Sequence, residues 1–293
     1  MKHLSSSSSS TYVIHHEKLD LKIGLFDIRD VFIHEEIIPE LLEKLIRNIE
    51  SVGYLKHPII LDEKSHVVLD GMHRVAALKK LGCLRIPACM VNYESPFIIV
   101  GCWYRVLKEA NATSLVLQAI DKLGFSSENV HSIDVDTLGV PPVFAALQGL
   151  NVSFLIRSNF RNLREAYNHV KLIEETLKSN SVKVEHETEN DAFLKLKEGI
   201  VEAVLLTPKL SKKDIVETAL SGQVFAYKAT RHVIPARPLR INVPLTLLKD
   251  EKKTLEQANE ELVQNLKKKR LKLMPAGSII EGRRYEEDVY IFE

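Results

Sequence analysis

Val67-Val68-Leu69-Asp70-Gly71-Met72-His73-Arg74, followed by VAALKKLG, runs three apolar residues into an acid, a glycine, a histidine and an arginine before a helical pattern begins. Val75, Leu78 and Leu81 point inward at helical spacing, Lys79 and Lys80 fall in the last turn, and Gly82 suits the stop. A strand that ends in Asp-Gly and turns into a helix presents unpaired backbone N–H groups at the positive end of the helix dipole. Gly71 admits a turn that a side chain would obstruct. His73 and Arg74 add donors, and a guanidinium can grip two phosphate oxygens. The corner therefore reads as an anion cradle, with phosphate as the anion. Asp70 is the odd member: beside a phosphate, a carboxylate holds a metal ion, takes a proton or pairs with the arginine. These residues alone leave a second reading open, in which Asp70 is the helix N-cap and Arg74 pairs with it four residues on.

Working outward, PELLEKLIRNIESVG predicts a helix with Leu41, Leu42, Leu45, Ile46 and Ile49 on one face, Pro39 in its first turn and Gly53 at its stop. Glu40/Lys44 and Glu43/Arg47 are favourable pairs on its wet side. HPIIL and HVVLD read as strands split by the turn-like DEKS, and IPACMV as a further strand. Helix, strand, strand, helix, strand over residues 12–105 predicts a compact α/β unit. Residues 106–249 alternate again, as a second α/β lobe. SLVLQAIDKLG, LREAYNHVKLIEETLK, AFLKLKEG and KKDIVETALSG read as helices, and NVSFLIR, VKVEHET and VEAVLLTP as strands. Pro141-Pro142 marks a break. Residues 250–293 read as a charged helix ending in KKKR, then a small hairpin through SIIEGRRYEEDVYIF. No long flexible linker separates the sections, which suggests two lobes sharing one cleft.

Lys plus Arg number 40 against 39 Asp plus Glu, so no general basic field exists to bind nucleic acid. Cys83, Cys89 and Cys102 lack zinc-ligand spacing and suggest a reducing compartment. No apolar run reaches transmembrane length, and the start, MKHLSSSSSS, lacks the apolar centre of a signal peptide. Residues 1–11 are expected to be a disordered, serine-rich tail, and the protein to be cytoplasmic, with no membrane partner.

LDGMHRVAALKKLGCLRIPACMV resembles the D-G-x-H-R corner of the ParB/sulfiredoxin superfamily. Sulfiredoxins carry a catalytic cysteine where this chain has Met72, and partition proteins of the ParB type follow the corner with a helix-turn-helix that has no counterpart here. The free L-serine kinase family is similar over more of the chain. VFIHEEIIPELLEKL resembles its His-Glu segment, matching His34 and Glu35; GCWYRVL resembles its Trp-Tyr segment; YKATRHVIPARPLRINV resembles its Lys-x-Thr-Arg-His segment, matching Lys228, Thr230, Arg231 and His232. Met72 replaces the family's more usual histidine.

That resemblance implies a ParB/sulfiredoxin-like N-terminal lobe, a second α/β lobe and an active site in the cleft between them. It implies transfer of a phosphoryl group from ATP or ADP to the hydroxyl of L-serine, giving O-phospho-L-serine for cysteine biosynthesis. Glu35 is expected as proton acceptor, with Glu36 its neighbour, and Asp70 as a second catalytic carboxylate or ligand of Mg2+. Gly71, Met72, His73 and Arg74 are expected to hold phosphates, and His34, Trp103, Lys228, Thr230, Arg231 and His232 to bind substrate. Taken singly, Glu35 also reads as a solvated helix-entry acid, His73 as a satisfied buried histidine, Arg231 as a surface arginine and Trp103 as core packing. A ParB-like nucleotide-dependent DNA-binding regulator and a nucleotide sensor without turnover are the rival functions.

Overall fold

Leu19, Leu21 and Ile23 are buried and alternate with Asp20 and Lys22, and this period of two makes Leu19–Asp27 (β2) a strand with one covered face. Tyr12–His16 (β1) pairs with it antiparallel. A computed structural model describes residues 11–293; the expected serine-rich tail lies, as far as residue 10, outside the described residues. Pro39 opens the helix Pro39–Val52 (α1), which buries Leu42 and Ile49 and closes at Gly53 in the left-handed conformation. The strands Tyr54–Leu55 (β3), Ile59–Asp62 (β4) and Val68–Asp70 (β5) follow, then the helix Met72–Lys80 (α2) and the strand Arg85–Val91 (β6). Five strands form a sheet in the order β1-β2-β6-β4-β5, in which only β4 and β6 run parallel.

The chain divides into two compact units. One takes the chain up to Ile99, then Ala219–Gly222 and His232–Glu293; the other takes Val100–Thr218 and Gln223–Arg231. The sequence reading set the first boundary at 105/106 and treated residues 250–293 as an extension. Those residues fold within the first unit, together with residues 232–249.

Along the second unit run Ile99–Gly101 (β7), Tyr104–Leu107 (β8), Ala112–Lys122 (α3), Ser126–Asn129 (β9), Val143–Gly149 (β10), Ser153–Arg157 (β11), Leu163–Ser179 (α4), Glu185–Glu187 (β12), Glu189–Lys197 (α5), Ala203–Leu206 (β13) and Lys212–Leu220 (α6). Its sheet has the order β12-β8-β13-β10-β11-β9 and is antiparallel throughout. Val116, Ile120, Val170 and Ile173 of α3 and α4 pack on Phe144, Leu147 and Ile156. On the other face, Ala192 and Leu196 of α5 meet Val106, Ala146, Val204 and Leu206. A strand covered on both faces needs no polar alternation. That is why VFAALQG, directly after the Pro141-Pro142 break, is a central strand that periodicity alone did not single out.

The first unit resumes at His232, within Arg231–Val233 (β14), and continues with Ala236–Leu239 (β15), Val243–Pro244 (β16), Leu245–Lys249 (α7), Leu255–Lys267 (α8), Leu271–Met274 (β17), Ile279–Ile280 (β18), Arg283–Arg284 (β19) and Asp288–Phe292 (β20). The hairpin expected across SIIEGRRYEEDVYIF is confined to β18 and β19. β20 instead lies between β15, parallel to it, and β17, antiparallel. Alternation marks β20 as a strand, but strand partners come from the register of distant segments.

Buried Asn259 of α8 ties the C-terminal part to the first sheet. β1 ends opposite Ile23, so Leu25 lies past its end. The Asn259 side chain continues the ladder there: Oδ1 accepts from Leu25 N–H at 2.7 Å, and Nδ2 donates to Leu25 C=O at 3.1 Å. Asn259→Leu leaves a buried donor and a buried acceptor unpaired and is expected to lower stability by about 2–4 kcal/mol, measured by urea unfolding.

Candidate active site

The corner that opened the sequence reading lies in the first unit. β5 ends at Asp70, Gly71 is the N-cap of α2 with φ +105°, and no side chain caps the helix. A Cβ on Gly71 would also stand 2.7 Å from Arg74 Nε and 2.8 Å from its Cζ and Nη2, so glycine is needed for both conformation and space. The Arg74 guanidinium is folded back beneath the turn. Its Nη1 donates to the carbonyls of His57, at 3.3 Å, and Pro58, and its Nη2 donates to Asp70 Oδ2 at 3.0 Å. Of the two readings left open, the Asp70–Arg74 ion pair is present, while the N-cap is Gly71 and not Asp70.

A second guanidinium reaches the same oxygen: Arg237 Nη1 of β15 donates to Asp70 Oδ2 at 2.7 Å, and Arg237 Nε meets Glu287. Burial would raise the Asp70 pKa, but Arg74, Arg237 and Arg283 outweigh it and hold the carboxyl well below the usual range. A magnesium ligand at Asp70 does not fit this arrangement, because two guanidinium groups already take its charge. Among the described residues no group of three or more His, Cys, Asp or Glu side chains could hold a metal ion.

His73, the first-turn histidine of α2, links the corner to the His-Glu segment. Its Nε2 accepts the backbone N–H of Ile38 at 3.0 Å, which assigns the ring proton to Nδ1. Ile38 is the N-cap of α1. Upstream, Phe32 N–H donates to His66 C=O at 3.0 Å and Val68 N–H to Phe32 C=O at 2.8 Å, forming a parallel bridge of Phe32 with Val67. That bridge and the His73–Ile38 hydrogen bond tie the segment carrying Glu35 to the β5–α2 corner. Glu35 is buried beside fully buried His34. The His34 ring meets His232 edge to face at 5.4 Å between centroids, and the His232 Nε2 lies 2.7 Å from the Tyr93 hydroxyl. Burial, helped by the charge of Asp62, raises the Tyr93 pKa and keeps the phenol protonated.

The first unit thus brings together His34, Glu35, Asp70, Gly71, Met72, His73, Arg74 and His232. Trp103, Lys228, Thr230 and Arg231 lie in the second unit. There, Trp103 Nε1 donates to Thr230 C=O at 2.9 Å, and the Lys228 ammonium stands 4.4 Å from the Trp103 ring centroid. Both are organised by Arg105, which is buried with Glu174. Arg105 Nε donates to Glu174 Oε1 at 2.6 Å, and its Nη atoms donate to the carbonyls of Trp103, Lys228 and Tyr227 at 2.6, 3.2 and 3.4 Å. Burial would raise the Glu174 pKa, but Arg105 and His186 hold it below the usual range.

Sequence reasoning missed Arg237, Glu287, Tyr93, Arg105 and Glu174. The one sequence signal was an arginine inside an otherwise apolar strand, at Arg105 in YRVL and Arg237 in ARPL. Their partners are 69 and 167 residues away in the chain, beyond the reach of any local pattern.

With the geometry in view, the chain can be set beside known proteins. No protein-family model matches it. In fold it resembles nucleotide-binding phosphotransferases: a free serine kinase in complex with AMP superposes with a TM-score of 0.65 at 25% identity, over 81% of this chain and 97% of that one. SbnI with a C-terminal truncation from Staphylococcus aureus shares the fold, with a TM-score of 0.62 at 23% identity over 84% of this chain and 96% of that one. In sequence the chain is 27% identical over 237 residues to the ATP-dependent L-serine kinase of Staphylothermus marinus, covering 77% of this chain and 90% of the relative. It is 27% identical to the ADP-dependent L-serine kinase SerK of Thermococcus kodakarensis over 218 residues, 72% of this chain and 87% of that one. The ATP-dependent L-serine kinase SbnI of Staphylococcus aureus is 25% identical over 286 residues, 92% of this chain and 97% of that one. A ParB-like protein of Sulfolobus acidocaldarius is 36% identical over only 74 residues, 25% of the chain and 37% of that protein. No helix among the described residues is long and apolar enough to cross a membrane.

Removing one partner of the buried pair strands the other charge, so Glu174→Leu is expected to cost about 3–5 kcal/mol in urea unfolding. Arg105→Met combined with Glu174→Leu is expected to recover part of that loss. His34 gives a pH signature. Burial pushes its pKa from 6.5 to about 4, against a backbone hydrogen bond with Val68. Between those values the unfolded chain binds the proton and the folded chain does not, so stability falls as pH falls through that window. From pH 7 to pH 5 the His34 contribution lost is about 2 kcal/mol. Urea midpoints measured for the wild type and His34→Gln are expected to show the smaller fall in the variant.

Proposed function

We propose that this protein is a free L-serine kinase, with ATP or ADP as donor, L-serine as acceptor and O-phospho-L-serine as product. The observation that carries the reading is that the segment bearing Glu35 is tied to the Asp70–Gly71 corner by the Phe32–Val67 bridge and the His73–Ile38 hydrogen bond, beside a helix N-terminus that no side chain caps. The L-serine kinase relatives, which span most of the chain, support it.

Phosphoryl transfer needs alignment, charge neutralisation and a proton acceptor more than covalent help. The serine Oγ attacks the donor's terminal phosphorus, the bond from that phosphorus to the bridging oxygen breaks, and the shortened nucleotide leaves. Glu35 takes the hydroxyl proton. It acts late: a loose transition state needs little prior deprotonation, and the alcohol becomes acidic as the new P–O bond forms. Asp70 is a poor candidate for that task, because the guanidinium pair holds its carboxyl well below the usual range. Its role is to fix the corner as a permanent anion. The α2 first turn, from Gly71 through His73, offers backbone N–H groups to the phosphates. His73 has a second task in holding Ile38, and with it the segment bearing Glu35. His34 and His232 in the first unit, and separately Trp103, Lys228, Thr230 and Arg231 in the second, are each proposed as substrate-binding residues. A magnesium ion would arrive on the nucleotide's phosphates, as it commonly does, since the described residues present no cage for it.

Purified protein with serine, magnesium and ATP or ADP is expected to form phosphoserine, read by mass spectrometry. Glu35→Gln is expected to lower kcat by about 10²–10⁴. No product with either donor, or full activity in Glu35→Gln, overturns respectively the reaction or the base.

A further inference from the structure

Arg74, the guanidinium expected to hold the phosphates, is engaged by Asp70 and the carbonyls of His57 and Pro58, and Arg237 is held between Asp70 and Glu287. Lys56 and Arg240, also in this unit, share Glu281 at 2.6 and 2.8 Å. A donor nucleotide brings several negative charges, so the corner needs a cation that no carboxylate has already neutralised. Arg283, on the β18–β19 hairpin, meets that need. It is exposed, and among the described residues no carboxylate lies within 4.0 Å of it.

Its placement is not that of an arbitrary surface arginine. The Arg283 guanidinium carbon lies 4.7 Å from the centroid of the Tyr285 ring, and that of Arg237 lies 5.9 Å from the same ring. Tyr285 is itself buried, packed with Leu239, Ile280, Val289 and Ile291. One fixed ring therefore links Arg283 to the arginine that grips Asp70. Asp70 registers the nearby positive charge of Arg283. Stacking on a rigid ring also limits the rotamers that an arginine loses when it binds an anion.

We propose that Arg283 is a phosphate-binding residue, supplied by the C-terminal segment to the donor nucleotide at the Asp70–Gly71 corner. The proposal rests on the kinase reading and adds the residue that neutralises the donor's terminal phosphates. It also gives residues 271–293 a task in the site beyond closing a sheet.

Calorimetric titration of ADP, ATP and adenosine into the wild type, Arg283→Ala and Arg284→Ala tests it. Arg284 is the exposed neighbour whose side chain points to the opposite face of the strand. Arg283→Ala is expected to weaken ADP and ATP by about ten- to a hundredfold, to leave adenosine unchanged and to flatten the salt dependence of ADP binding. Arg284→Ala is expected to bind all three as the wild type does. Equal ADP affinity in Arg283→Ala and wild type overturns this proposal alone. A parallel loss of adenosine binding also overturns it, since the residue would then be supporting the fold. A wild type that binds none of the three overturns the kinase reading with it.

Discussion

Asp70 Oδ2 takes a guanidinium from two directions, Arg74 from four residues along its own helix and Arg237 from a strand near the end of the chain. The corner depends on that convergence. A half-buried carboxylate among apolar strands is costly unless its charge is met, and two charge-assisted hydrogen bonds meet it. They also fix the turn, because Arg74 can reach back to Asp70 only by passing over a residue without a Cβ. Glu287 in turn steadies Arg237, so a carboxylate–guanidinium–carboxylate row connects the first α/β sheet with the C-terminal strands of the same unit.

The same economy of contacts places Glu35. Its segment has no helix or long strand of its own. A parallel bridge at Phe32 and the ring of His73 at Ile38 are among its anchors. Both start from the β5–α2 corner and so tie the Glu35 segment to it. Asp70 is met by fixed positive charge, which holds its carboxyl ionised.

In the second unit a buried ion pair organises the backbone. Arg105 and Glu174 are expensive to bury, and their pair alone adds little net stability. The return lies in the carbonyls of Trp103, Tyr227 and Lys228, which are collected on one guanidinium. Lys228 adopts a positive φ there, a conformation that needs such support in a residue with a Cβ.

Local pattern determined much of this protein. The helices from Pro39 and Met72, the strands around Ile59 and Val68, the Asp70–Gly71 turn and the Asp70–Arg74 pair are all short-range consequences of spacing, capping and glycine freedom, and all are present in the structure. The motif residues from His34 to His232 were legible one by one. Tertiary structure alone decided which strand partners β20 takes, that VFAALQG runs through the middle of a sheet, and that Arg237 and Glu287 close on Asp70. The physical reason is range. Periodicity and caps act over a few residues, whereas an ion pair between residues 70 and 237 exists only after two sheets have set their registers. No property of either residue announces the other in advance.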